Sequence, residues 1–127
     1  MSAEGRNAEY VYLASPYSHA SAEVRQARFE AVEHCAHWLL LRRNWVFAPI
    51  VHCHAIAVKY GLPKEFDYWE EYDKAMLMYA RAIYVLCIDG WQESKGIAGE
   101  LEFAMREGIL IRYVTKRGDD YEVLAKP

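Results

Sequence analysis

Ala82-Ile83-Tyr84-Val85-Leu86-Cys87-Ile88 is an unbroken apolar run, closed by the turn pair Asp89-Gly90. It reads as a strand buried on both faces, and such strands belong to parallel sheets covered by helices. Outward from it, Ser94 caps a helix reaching about Glu107, Gly108 stops that helix, and Ile109–Val114 is the next strand. Upstream, Phe66–Ala80 has helical spacing and Gly61-Leu62-Pro63 marks a turn. Trp45–Ala48 reads as a strand stopped by Pro49, and a loop carrying Pro49, His52 and His54 then leads into a short helical piece. Ala22–Arg43 is a long helix with Ser21 as its cap and Asn44 at its end. Tyr10–Ala14 is a short strand broken by Ser15-Pro16-Tyr17-Ser18, and Tyr121–Ala125 reads as a last edge strand. Strand and helix alternate. The pattern predicts an α/β fold: one doubly wound, flavodoxin- or Rossmann-like parallel sheet of four to five strands with helices on both faces. Residues 1–127 form one domain in this reading, with 1–9 a flexible lead-in.

Composition narrows the function. The chain has 127 residues, 54% hydrophobic and 26% charged, which excludes disordered and low-complexity classes. A net charge of −3 disfavours a nucleic-acid polymer or an anionic membrane as partner. No signal peptide or membrane-spanning stretch is read. Three scattered cysteines (Cys35, Cys53, Cys87) lack a C-x-x-C pair and point to reduced thiols in a cytoplasm. Ten Tyr and four Trp call for large packing surfaces, a subunit interface or a pocket for a flat ligand.

In open sheets of this kind ligands bind beyond the carboxyl ends of the strands, which directs the search to Ser15–Ser18, Pro49–His54 and Asp89–Gly96. On a helical wheel, Asp73 falls within the apolar stripe of Phe66, Trp69, Tyr72, Met76, Leu77 and Ala80. A buried carboxylate must be paired, protonated or facing a polar cavity, so Asp73 is a structural ion-pair member or an active-site acid. In the helix after Ser94, the buried stripe is expected at Ile97, Leu101, Ala104 and Met105. Glu100 lies on its flank, leaning over Gly96, where no side chain blocks it. Arg28 falls on the apolar side of the first helix and requires an anion, either Asp73 or a ligand phosphate. The loop Gly90–Gly96 offers free N–H groups, the Ser94 hydroxyl and Lys95 to an anion, without being a Walker A or G-x-G-x-x-G sequence. His34 and His37 read as solvated, His52 and His54 as possible pocket residues, and no metal-ligand pattern is visible. No cofactor or metal is expected.

Two stretches then act together. Val11-Tyr12-Leu13-Ala14-Ser15-Pro16-Tyr17, followed by Gly96-Ile97-Ala98-Gly99-Glu100-Leu101-Glu102-Phe103-Ala104, resembles the nucleoside 2-deoxyribosyltransferase-like superfamily, in a short bacterial and phage branch. The resemblance runs from Tyr10 to Val114 and makes residues 1–127 a single domain of that type. It implies a carboxylate nucleophile at Glu100, a tyrosine orienting it at Tyr12, and an acid for the departing base at Asp73, with Asp89 a further candidate. It also implies phosphate-holding serines at Ser15 and Ser94 and an assembly of two or more copies. The chain lacks the C-terminal segment of the transferases, which disfavours transfer more than cleavage. The expectation is an enzyme of nucleotide metabolism that cleaves or transfers at the N-glycosidic bond of a nucleoside or nucleoside 5′-monophosphate. Glu100, Asp73 and Tyr12 would be catalytic; Ser15, Ser94, Gly96, Asp89, Arg28, Trp69 and Trp91 would bind substrate, with Tyr72 another surface for the base. The alternatives are a nucleotide-sensing module without turnover and an oligomeric scaffold. Base, sugar and acceptor stay open.

Overall fold

Period-two alternation along the central strands decides which side chains meet which helices. In the computed structural model, which describes residues 9–127, β1 (Val11–Ala14) lies between β2 (Val46–Phe47) and β3 (Ala82–Leu86). β4 (Leu110–Arg117) and β5 (Asp120–Leu124) complete a five-stranded sheet in the order β2-β1-β3-β4-β5. The first three pairings are parallel, and β4–β5 is an antiparallel hairpin turned at Gly118 (φ +65°). The expected all-parallel sheet is corrected there: only a few residues separate β4 from β5, too short for a crossover. Four helices, α1 (Ala22–Leu41), α2 (Pro49–Tyr60), α3 (Phe66–Met78) and α4 (Lys95–Glu107), join the strands, with a 3₁₀ turn at Trp91–Glu93. The expectations for residues 1–8 lie outside the described residues.

Tyr12, Ala14, Ile83 and Val85 pack with Leu77 of α3 and Ile97, Phe103 and Ala104 of α4. Their neighbours Leu13 and Leu86 pack with Val32, Cys35, Ala36 and Leu39 of α1. The apolar strands are buried on both faces, as their unbroken hydrophobicity requires. From β1 the chain steps to β2 on one side and returns to place β3 on the other. Strand order therefore reverses between β1 and β3, and a crevice opens beyond their carboxyl ends.

Several boundaries move from their sequence positions, each for a local reason. α1 closes at Leu41, with Arg43 in the left-handed region (φ 66°) and the Asn44 N–H bonded to the Leu39 carbonyl. Pro49 does not lead into a loop: it begins α2, where its missing N–H would have had no helical partner anyway. α3 ends at Met78, and β3 ends at Leu86 before Cys87-Ile88. The caps at Ser21 and Ser94 stand as read, accepting from the N–H groups of Val24 and Ile97. In α4 Met105 is exposed and Phe103 takes its place in the buried stripe beside Glu100. No described helix is long and apolar enough to cross a membrane.

Candidate active site

Tyr12 is the residue on β1 whose parity turns it toward α3 and α4. Its hydroxyl donates to Glu100 Oε2 at 2.5 Å, across a fully buried contact. Asp73, on the inward stripe of α3, hydrogen-bonds to Glu100 as well. Three chain segments thus converge on one carboxylate. Only 5% of Glu100 and 8% of Asp73 is exposed, so water does little to solvate either charge.

Burial governs the protonation. It pushes Glu100 well above the usual carboxylate range, and the neighbouring Asp73 charge pushes it further, while the Tyr12 hydroxyl pulls it back. Burial also raises Asp73, to about 6, and the hydrogen bond from Glu100 moderates the rise. Both shifts favour the protonated form, and the hydrogen bond from Glu100 to Asp73 lets the pair share a proton carried on Glu100. Tyr12 stays a neutral donor, since burial and then the two carboxyl groups raise its pKa far above 10.0.

A cavity of about 590 Å³ opens over this pair, within the ordinary range for small-molecule sites. All three stretches singled out from the sequence contribute to it: Ser15, Tyr17 and Ser18; Pro49, Cys53 and His54; Gly90 and Glu93–Gly96. Ser15 is 8% exposed, and its buried Oγ has no hydrogen-bond partner among the described residues. Ser94 Oγ accepts the Ile97 N–H at 3.2 Å, which leaves its own proton free to donate at the start of α4. Trp69 lines the cavity and donates through Nε1 to the Pro63 carbonyl at 2.8 Å.

Other expected residues sit differently. Arg28 lines the cavity but does not pair with Asp73: it donates to the carbonyls of Ser18 and Asp89, at 3.0 and 3.5 Å. No carboxylate pairs with it among the described residues. Its guanidinium occupies the space that a Cβ on Gly90 (φ +91°) would need. Asp89 and Trp91 fall outside the main cavity. Asp89 is exposed, and Trp91 packs against Tyr113 at a centroid distance of 5.8 Å, because the turn after Gly90 carries its ring toward β4. Tyr72 does not line the cavity; its ring meets Trp69 edge-on at a centroid distance of 5.8 Å. His34, read as solvated, bonds the Tyr121 hydroxyl at 2.6 Å, and His52 packs near Phe47. Gly96 lines the cavity, yet its missing side chain, like that of Gly99, makes room for the Phe66 ring rather than for Glu100.

The sequence reading missed the α2–α3 connection. Pro63, Lys64, Glu65 and Phe66 form a further part of the cavity wall, tied down where Ser18 Oγ donates to the Lys64 carbonyl at 2.8 Å. Gly61-Leu62-Pro63 was the available signal, and the helical start at Pro49 was needed to carry it to this edge. No group of three or more His, Cys, Asp or Glu among the described residues is placed to hold a metal ion.

Residues 9–115 match the family described as a domain of unknown function, DUF1937. The chain belongs to that family. Every residue named in the cavity falls within the DUF1937 match, whereas β5 lies beyond it. No curated protein matches the chain.

Proposed function

We propose that this protein cleaves the N-glycosidic bond of a nucleoside or nucleoside 5′-monophosphate. The observation that carries the reading is the convergence of Asp73 and Glu100 at the wall of one cavity, with the buried Tyr12 hydroxyl bonded to Glu100 behind it. Glu100 attacks the anomeric carbon as the bond to the base breaks, and the bonding electrons leave on the base nitrogen. The proton shared by the pair passes to Asp73 and from it to the departing base. Water then attacks the glycosyl ester, loses a proton to Asp73 and releases Glu100 as a carboxylate, which restores the singly protonated pair. A second base in place of water would give transfer. Retaining glycosidases hold their carboxyl groups about 5–5.5 Å apart, so the sugar enters by parting the Asp73–Glu100 hydrogen bond.

Ser15, Ser94 and the start of α4 hold the 5′-phosphate, and the Trp69 ring offers a surface to the base. The unpartnered Ser15 hydroxyl supports a polar ligand at that point. The sheet is doubly wound in this reading, which puts the cavity at the reversal of strand order. Three free cysteines suit a cytoplasmic enzyme of nucleotide metabolism, and exposed Trp45, Leu41, Tyr60 and Tyr79 suit a homo-oligomer. Incubation with ribo- and deoxyribonucleosides and their monophosphates tests the activity through release of free base. Release that Glu100→Ala abolishes is the expected result. Binding without release means a sensing module, and an oligomer that binds none of them means a scaffold.

A further inference from the structure

Tyr17, from the β1–α1 connection, and His54, from α2, also line the cavity, and the glycosidic chemistry leaves both unused. The Tyr17 hydroxyl lies 2.6 Å from His54 Nδ1, and His54 Nε2 lies 3.1 Å from Gln26 Oε1. An amide oxygen only accepts, so Nε2 carries the ring proton and Nδ1 presents a lone pair. Tyr17 therefore donates its single proton to His54. The ring is held in place: His54 stacks on Phe29 at a centroid distance of 4.4 Å and meets the Tyr17 ring edge-on at 5.4 Å. Burial, and then the charge of Arg25, lower the His54 pKa, which keeps the imidazole neutral at pH 7. With its proton so committed, the Tyr17 phenol oxygen presents only lone pairs to the cavity.

We propose that Tyr17 is a specificity-determining residue: with its proton committed to His54, its hydroxyl offers the cavity an acceptor only, and so selects a nucleoside that brings an N–H or O–H donor to that wall. The inference rests on the reading of the cavity as a nucleoside site. His54 is a positioning residue: it fixes the polarity of the Tyr17 hydroxyl through the bond at its Nδ1.

Equilibrium binding tests it with adenosine, 2′-deoxyadenosine, 3′-deoxyadenosine and purine riboside, the last three each lacking one donor of the first. Cytidine, 2′-deoxycytidine and 2-pyrimidinone riboside form the pyrimidine set. Loss of the selected donor costs the wild-type protein about tenfold in affinity, the scale of one neutral hydrogen bond. In Tyr17→Phe that ratio falls to within about twofold of unity. In His54→Ala it falls as well, because the hydroxyl is then free to turn and donate. A purely structural role would weaken all ligands equally and leave the ratios intact, and a ratio is insensitive to partial loss of folded protein. Ratios unmoved by Tyr17→Phe overturn the inference alone, whether or not base is released. Binding of no member of either set overturns the nucleoside reading and the inference with it.

Discussion

Tyr12→Phe removes one buried oxygen from behind the cavity wall and leaves the ring that packs beside Phe47. That oxygen donates to Glu100 at 2.5 Å in a fully buried contact, so no water takes its place cheaply. A hydrogen bond to a charged group contributes about 1.5–3 kcal/mol, and here it favours the ionised Glu100 over the neutral one. Its loss raises the Glu100 pKa by roughly one to two units. At fixed pH near neutrality less of the nucleophile is ionised, and kcat/KM for base release falls by roughly 10- to 150-fold. The acid limb of the pH–rate profile moves to higher pH by the same one to two units. Folding stability changes much less, because the unliganded protein holds Glu100 protonated, where the phenol matters least. The assay is free-base release from pH 5 to 9, paired with urea unfolding of the same variant. An acid limb that stays put and a rate within about twofold of wild type refute the reasoning, since the bond would then not act on the ionisation of Glu100.

Stability should fall as pH rises. The folded pKa of Asp73, about 6, exceeds its ordinary value of 3.8, so its contribution is intact below pH 3.8 and is lost as pH climbs through 6. Glu100, raised further, extends the loss upward. Urea unfolding of wild type against Asp73→Asn/Glu100→Gln should therefore show the double variant gaining by a few kcal/mol between pH 4 and pH 8; a constant difference counts against a shared proton. Gly90→Ala forces an L residue to φ +91° and drives its Cβ into Arg28, so it should lower stability by about 1–3 kcal/mol, measured the same way. Gly99→Ala gains about 1 kcal/mol of helix propensity, but its Cβ would lie 2.9 Å from the Phe66 ring, and the clash outweighs the gain by up to ~2 kcal/mol. In a Phe66→Ala background the same change should become stabilising, and a double-mutant cycle that fails to change sign would remove the packing explanation.

The course of the sheet was legible because its apolar runs carry their own punctuation: Ser94 before α4, Gly108 after it, Asp89-Gly90 after β3. The inward placement of Asp73 was legible for the same reason, since a carboxylate inside an apolar stripe has few places to go. Pro49 misled because proline both breaks and begins helices, and only the unpaired N–H count at a helix start separates the two. Trp91 misled because a tight turn redirects side chains, and no periodicity runs through a turn. Arg28 misled because a guanidinium need not find a carboxylate: two main-chain carbonyls accepted it, and carbonyl positions are set by tertiary structure. The Tyr17–His54–Gln26 chain joins residues 28 and 37 positions apart, which no local pattern links.

The burial of Asp73 and Glu100 runs against stability, and that bears on what the pair is for. Apolar residues of similar volume in place of a buried charged pair are often neutral or stabilising. A structural ion pair would at least bring a cation, and none contacts either carboxyl among the described residues. Among the described residues the one hydroxyl donor supplied is Tyr12, which favours the charged form of Glu100 against the push of burial and of Asp73. A site arranged for stability alone would let Glu100 stay neutral and would not spend a buried hydroxyl on its ionised form. A site that must switch Glu100 between proton-bearing and charged forms needs both influences at once: burial to hold the proton at rest, and a donor to stabilise the charge when the proton leaves. Asp73, with a pKa of about 6, is matched to receive that proton near neutral pH. The opposition of the two influences within one hydrogen-bonded unit is what favours turnover over mere binding at this cavity.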